Sequence, residues 1–183
     1  MKKKVAFIMA IALVGLLAAG GVMAWFTAGP KDAKNTFTTG KLEIDLIDEF
    51  NEEDAANVNP GDCISKKVRV QNKGTIDAYI RIALTPEFTG LKEGVVPDYG
   101  LVSWELGENW VKGTGGWYYY IKVVDPEKST ENLIEKVCFS KDMGNDYQGM
   151  TFTLDVKAEA IQVEHGAALD VWKVDPAKLE ASS

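Results

Sequence analysis

Val68-Arg69-Val70-Gln71-Asn72-Lys73-Gly74-Thr75-Ile76-Asp77-Ala78-Tyr79-Ile80-Arg81-Ile82-Ala83-Leu84 carries the period that sets the fold class. Val68 and Val70 alternate with Lys67, Arg69 and Gln71, and Ala78, Ile80, Ile82 and Leu84 alternate with Tyr79, Arg81 and Thr85. Side chains on a strand point to opposite faces in turn, so each segment reads as a strand with one apolar and one solvated face. Between them, Asn72-Lys73-Gly74 supplies residues that tolerate positive φ and predicts a hairpin joining the two strands.

The same period continues on either side. Leu42, Ile44 and Leu46 alternate with Lys41, Glu43 and Asp45; Phe152, Leu154, Val156, Ala158 and Ala160 alternate with Thr151, Thr153, Asp155, Lys157 and Glu159. Trp117 through Val124 is aromatic and β-branched, which suits a pleated surface. Helical spacing is confined to two short stretches with Asp or Ser/Thr caps nearby, Glu49–Ala56 and Thr130–Lys136. Short strands punctuated by Pro60-Gly61, Gly94, Pro97, Gly107, Gly113 to Gly116 and Pro126 predict an all-β antiparallel sandwich with short helices in its loops.

The chain has 183 residues, the size of one domain, with 46% hydrophobic and 26% charged residues. Its formal net charge is −7, and removing Lys2, Lys3 and Lys4 leaves 17 basic groups against 27 acidic, a net charge of −10. An acidic surface repels phosphate, so nucleic acids and anionic lipid surfaces are poor partners. Those three lysines precede an apolar run from Val5 through Phe26, the charged and apolar parts of a secretory signal peptide. Val22-Met23-Ala24 places small residues at the −3 and −1 positions, so cleavage is expected between Ala24 and Trp25. The competing reading is a retained anchor, since about 20 apolar residues span a bilayer; in either reading the membrane is met only through this segment. The expected organisation is a signal peptide over 1–24, an N-terminal segment over 25–39, a sandwich over 40–163 and a loose tail over 164–183.

Secretion places Cys63 and Cys138 in an oxidising compartment, where they form a disulfide or sit as two small buried thiols. Asp45, Asp48, Glu49, Glu52, Glu53 and Asp54 crowd one stretch, but their spacing fits no calcium loop and reads as a solvated face. No metal or cofactor is expected. Trp104, Trp110, Trp117, Tyr118 and Tyr120 suit a glycan-binding platform in one reading and core packing in another.

Gly20-Gly21-Val22-Met23-Ala24-Trp25-Phe26-Thr27, followed by Asn35-Thr36-Phe37-Thr38-Thr39-Gly40-Lys41-Leu42-Glu43-Ile44-Asp45-Leu46, resembles the start of the TasA/camelysin family. The resemblance continues through Asn59-Pro60-Gly61-Asp62, Val68 to Gly74 and Ala78 to Ile82, and closes with Tyr147-Gln148-Gly149 and Val156 to Gln162. It implies a jelly-roll-like sandwich, secreted by a Gram-positive bacterium after cleavage by a dedicated signal peptidase and polymerised into biofilm matrix fibres, with an accessory matrix protein as a further partner. It also implies that the mature N-terminal segment completes the sheet of the next copy. Trp25, Phe26, Thr27, Phe37, Thr38 and Thr39 are the donor-strand residues on this reading, with Phe26 and Phe37 as apolar anchors.

Camelysin is classed as a metalloendopeptidase, so an enzyme is the alternative function. A catalytic zinc site takes three protein ligands, commonly two of them histidines, and this chain has one histidine, His165. Neither cysteine lies in a nucleophile motif, and a single histidine leaves one candidate base, so no catalytic residue is expected.

Overall fold

A computed structural model describes residues 40–50 and 59–180. Eight strands run in chain order: β1 (Ile44–Phe50), β2 (Cys63–Asn72), β3 (Ala78–Thr89), β4 (Val102–Ser103), β5 (Trp110–Lys112), β6 (Trp117–Tyr120), β7 (Ile134–Phe139) and β8 (Thr151–Gln162). They form two four-stranded antiparallel sheets, ordered β1-β2-β7-β4 and β5-β6-β3-β8. The protein is an all-β sandwich, as the period-two pattern predicts.

Its core lies where the apolar phases meet. Val68 and Val70 of β2 with Ile134 and Val137 of β7 pack against Ile80 and Ile82 of β3 and Ala158 and Ala160 of β8, all fully buried. The alanines opposite β3 leave room for its isoleucines, in the large-against-small packing of a dense core. β3 and β8 pair without interruption from Ala78 opposite Gln162 to Thr89 opposite Thr151.

Two expectations fail. β2 and β3 do not form a hairpin: they belong to opposite sheets, and Asn72-Lys73-Gly74 starts the crossover between them. Asn72 is fully buried, its Nδ2 donates to the Ile76 and Val124 carbonyls, and its Oδ1 accepts from the Gly74 N–H. A polar side chain so satisfied holds the corner in one geometry. Gly74 is required for close approach rather than positive φ, because a Cβ there would lie 2.2 Å from the Lys41 carbonyl oxygen.

Thr130–Lys136 is not a helix either; Ile134 to Lys136 open β7. Its register with β2 shifts between Ser65 and Val68, which lets β7 bury Ile134 and Val137 three residues apart, a spacing that imitates a helical face. Of the other helical candidate, Glu49 and Phe50 end β1 and the remainder lies outside the described residues. The strand expected over Trp117 to Val124 stops at Tyr120, with Val124 bridging Ala78. Short 3-10 turns occupy loops at Tyr99–Leu101 and Asn145–Tyr147.

The loose tail is also corrected. Glu164–Gly166, a short helix α1 (Ala167–Trp172) and Pro176–Lys178 fold against the second sheet, with Ala167, Ala168 and Trp172 buried beside Tyr119 and Ile161. Trp172 therefore packs back on its own sandwich, while Val171 and Lys173 beside it stay exposed. The expected signal peptide over 1–24 and the segment from Trp25 to Thr39 lie outside the described residues. No helix among the described residues is long and apolar enough to cross a membrane.

Candidate functional site

Between Phe50, Ile64 and Thr151 the two sheets part and leave a groove of about 1030 Å³. Ile64 and Lys66 of β2 and Val137 and Phe139 of β7 form one wall; Phe152 and Leu154 of β8 form the other, and Met143 to Met150 make part of the rim. Phe152 packs edge-on against Phe139, ring centroids 5.3 Å apart, and tilts against Phe88 at 5.2 Å. β8 is an edge strand whose strand partner among the described residues is β3. An antiparallel strand turns alternate N–H and C=O groups to either side, so the far side of β8 presents backbone donors and acceptors along the groove. Its inward residues Phe152, Leu154 and Val156 are half-buried, whereas Ala158 and Ala160 further along are sealed.

Lys66 is the unusual member. Ile64, Lys66, Val68, Val70 and Asn72 share the inward phase of β2, so a lysine occupies a core-facing position. Its Nζ lies 2.8 Å from both Asp48 carboxylate oxygens and 5.1 Å from the Phe50 ring centroid. Its side chain is 9% exposed and that of Asp48 33%. Three N–H groups leave an ammonium and two meet Asp48; among the described residues no other acceptor reaches the third. The alternation noted from Val68 points here when run backwards, because Lys66 and Ile64 continue the apolar phase.

Cys63 and Cys138 stand opposite one another in β2 and β7 and are joined by a disulfide. Ile64 and Val137, the next pair in the register, line the groove. The bond therefore fixes the two strands of the groove wall to each other.

The outer face of the second sheet holds a contrasting cluster. Arg81 Nε and Nη2 donate to Glu159 Oε2 at 3.0 and 2.6 Å, and its guanidinium lies 4.0 Å from the Trp117 ring and 4.6 Å from the Trp172 ring. Lys157 Nζ lies 2.8 Å from the other Glu159 oxygen. Burial alone would raise the Glu159 pKa, but hydrogen bonds from Lys157 and Arg81 outweigh it and hold the carboxyl below its ordinary value. On the inner side, Tyr120 hydrogen-bonds the Glu131 carboxylate; burial and that acceptor push the phenol pKa up.

The glycan-platform reading does not survive the geometry, because Trp110, Tyr118 and Tyr120 are core residues. Trp104 donates to the Tyr118 hydroxyl and Trp117 stacks on Arg81, so the five aromatics form no exposed surface. The acidic stretch is partly consumed by pairing across β1 and β2, Asp48 with Lys66 and Glu49 with Arg69 at 2.6 Å; Glu52, Glu53 and Asp54 lie outside the described residues. Among the described residues no group of three or more His, Cys, Asp or Glu side chains is placed to hold a metal ion. His165 is largely exposed, 3.8 Å from Glu164, and both cysteines are bonded to each other. This donor set does not fit a zinc site.

Fold and groove together define an antiparallel β-sandwich with an edge strand that only β3 pairs among the described residues, beside a partly apolar cleft. The chain belongs to the camelysin metallo-endopeptidase family, whose model matches residues 1–93. That match takes in β1, β2 and β3. No curated protein matches the chain.

Proposed function

We propose that this chain is a secreted structural subunit that polymerises into extracellular fibres at the surface or in the matrix of its cell. In this reading the segment from Trp25 to Thr39 of one copy adds to the free edge of β8 in the next. The carrying observation is the groove beside β8, where half-buried Phe152 and Leu154 lie next to an edge that no strand among the described residues pairs. An added strand would satisfy those groups and cover the apolar residues at once.

The path of the chain favours a second copy as the recipient. Gly40 lies beside Ile76, at the crossover end of β2, while the groove opens at the Cys63 end. Ten residues of β2 separate the two ends, about 30 Å at strand spacing, whereas Phe37 stands three residues before Gly40, about 10 Å of extended chain, and so cannot reach the Ile64 row of its own copy. A contact made head-to-tail between copies propagates into a filament. Signal peptidase acts as the switch, because a signal segment still attached holds the donor at the membrane; an accessory matrix protein is a further proposed partner.

The family's description brings a peptidase reading, which rests on no constellation among the described residues: a zinc peptidase takes three ligands, and the one histidine is exposed in the C-terminal segment. The proposed role is therefore non-enzymatic. Negative-stain microscopy of the chain beginning at Trp25, beside one beginning at Asn35, tests it. Fibres from the first and monomers from the second are expected; fibres from both would remove the donor role of Trp25 to Lys34.

A further inference from the structure

We infer that Lys66 is the residue that sets the register of the strand entering the groove, by donating its third N–H to a side-chain oxygen two residues from Phe37 of that strand. The inference rests on the strand-accepting reading above.

A charged residue in the inward phase of a central strand is costly unless its hydrogen bonds are filled. Neighbouring inward positions of β2 are Ile64 and Val68, both buried and apolar, so packing alone gives no reason for a lysine between them. Asp48 fills two of its donors and Phe50 lies against it. The remaining donor belongs to a group that lines the groove. An occupant without an acceptor at that point would bury an unfilled ammonium N–H; one with an acceptor gains a charge-assisted bond. An apolar wall holds many sequences in many registers, whereas one unfilled donor selects among them.

The occupant is the segment over 25–39 of a second copy, for the reasons of chain path already given. Residues two apart on a strand share a face and lie about 6.6 Å from each other. Ile64 and Lys66 are so spaced in the wall. When Phe37 is seated over the Ile64 row, beside Phe139 and Phe152, the residue two positions away therefore stands over Lys66. Asn35 and Thr39 both carry a side-chain oxygen and flank Phe37 at that spacing. Which of them meets Lys66 depends on the direction of the incoming strand, so the pairing also reports that direction.

The test measures the critical concentration for fibre formation, by sedimentation, of the chain beginning at Trp25 carrying Lys66→Met, Lys66→Arg, Asn35→Ala and Thr39→Ala, singly and as Lys66→Met with each alanine. Lys66→Met is expected to raise it about tenfold, the loss of one charged-group hydrogen bond, while Lys66→Arg keeps a donor and stays within about threefold. Combined with Lys66→Met, one of the two alanine changes is expected to add nothing further, since its partner is already gone. Lys66→Met assembling at the unmodified concentration, or both alanine changes adding in full, overturns the inference and leaves the fibre reading standing. Failure of the unmodified chain to assemble overturns both. Thermal melting of each variant separates lost folding from lost register.

Discussion

Arg81 lies on the outer face of the second sheet and Lys66 on the inner face of the first, and the surroundings of the two cations differ in one respect. Arg81 is satisfied by its own chain: Glu159 takes its hydrogen bonds, and Trp117 together with Trp172 of the C-terminal segment covers its guanidinium. Lys66 is enclosed on the Asp48 side and faces the groove on the other. A satisfied buried cation is an element of stability, whereas one with a donor to spare inside a cleft is an element of recognition. The outer face is finished by its own chain; the groove is where the proposed second copy would seat its strand.

The largest expected effect falls on the finished site. Trp172→Ala should cost about 3–5 kcal/mol in urea unfolding, by the lost burial of an aromatic and the cavity left over Arg81 and Tyr119. It should leave the assembly threshold of the folded chain unchanged. A change in threshold with no change in stability would break the contrast between the two sites.

Reduction of Cys63–Cys138 comes next, with a loss of roughly 2–5 kcal/mol for a native bridge. The bridge fixes the strands that carry Ile64 and Val137, so reduction should raise the assembly threshold as well as lower stability. Unfolding and sedimentation with and without reductant measure the two effects.

The smallest effect is that of pH on the outer cluster. Because the folded pKa of Glu159 lies below its ordinary value of 4.5, its contribution is complete above that value and is lost as pH falls through the lower, folded one. Tryptophan fluorescence of Trp172 and Trp117 should report loosening of the C-terminal segment only in that acidic window, and Glu159→Gln should abolish the pH dependence. Loosening near neutral pH would point to another group.

Much of this architecture is legible in the sequence, and the gaps have definite causes. Alternation gave β1, β2, β3 and β8 with their inward faces, since period two fixes which face is buried. It does not name the neighbouring strand, so β2 and β3 read as a hairpin until Asn72 is seen turning the chain from one sheet to the other. The register shift opposite Ser65 and Val68 disguised β7 as a helix. Trp172 docks through one contact cluster on a short helix, with no periodic signal to announce it. Lys66 was readable, as a charge in the apolar phase, yet lysine beside lysine at Lys66-Lys67 looks like an ordinary solvated pair.

The central claim is that the cleft beside β8 receives the N-terminal segment of another copy. A cysteine pair tests it directly: Phe37→Cys and Phe152→Cys in the chain beginning at Trp25, oxidised after assembly and separated on a non-reducing gel. The two native cysteines are already bonded, so new bridges join only the introduced thiols. A ladder of covalent multimers is expected, collapsing to monomer on reduction and absent when either cysteine is present alone. Bridged monomers without a ladder, or no bridging in assembled fibres, would contradict the account.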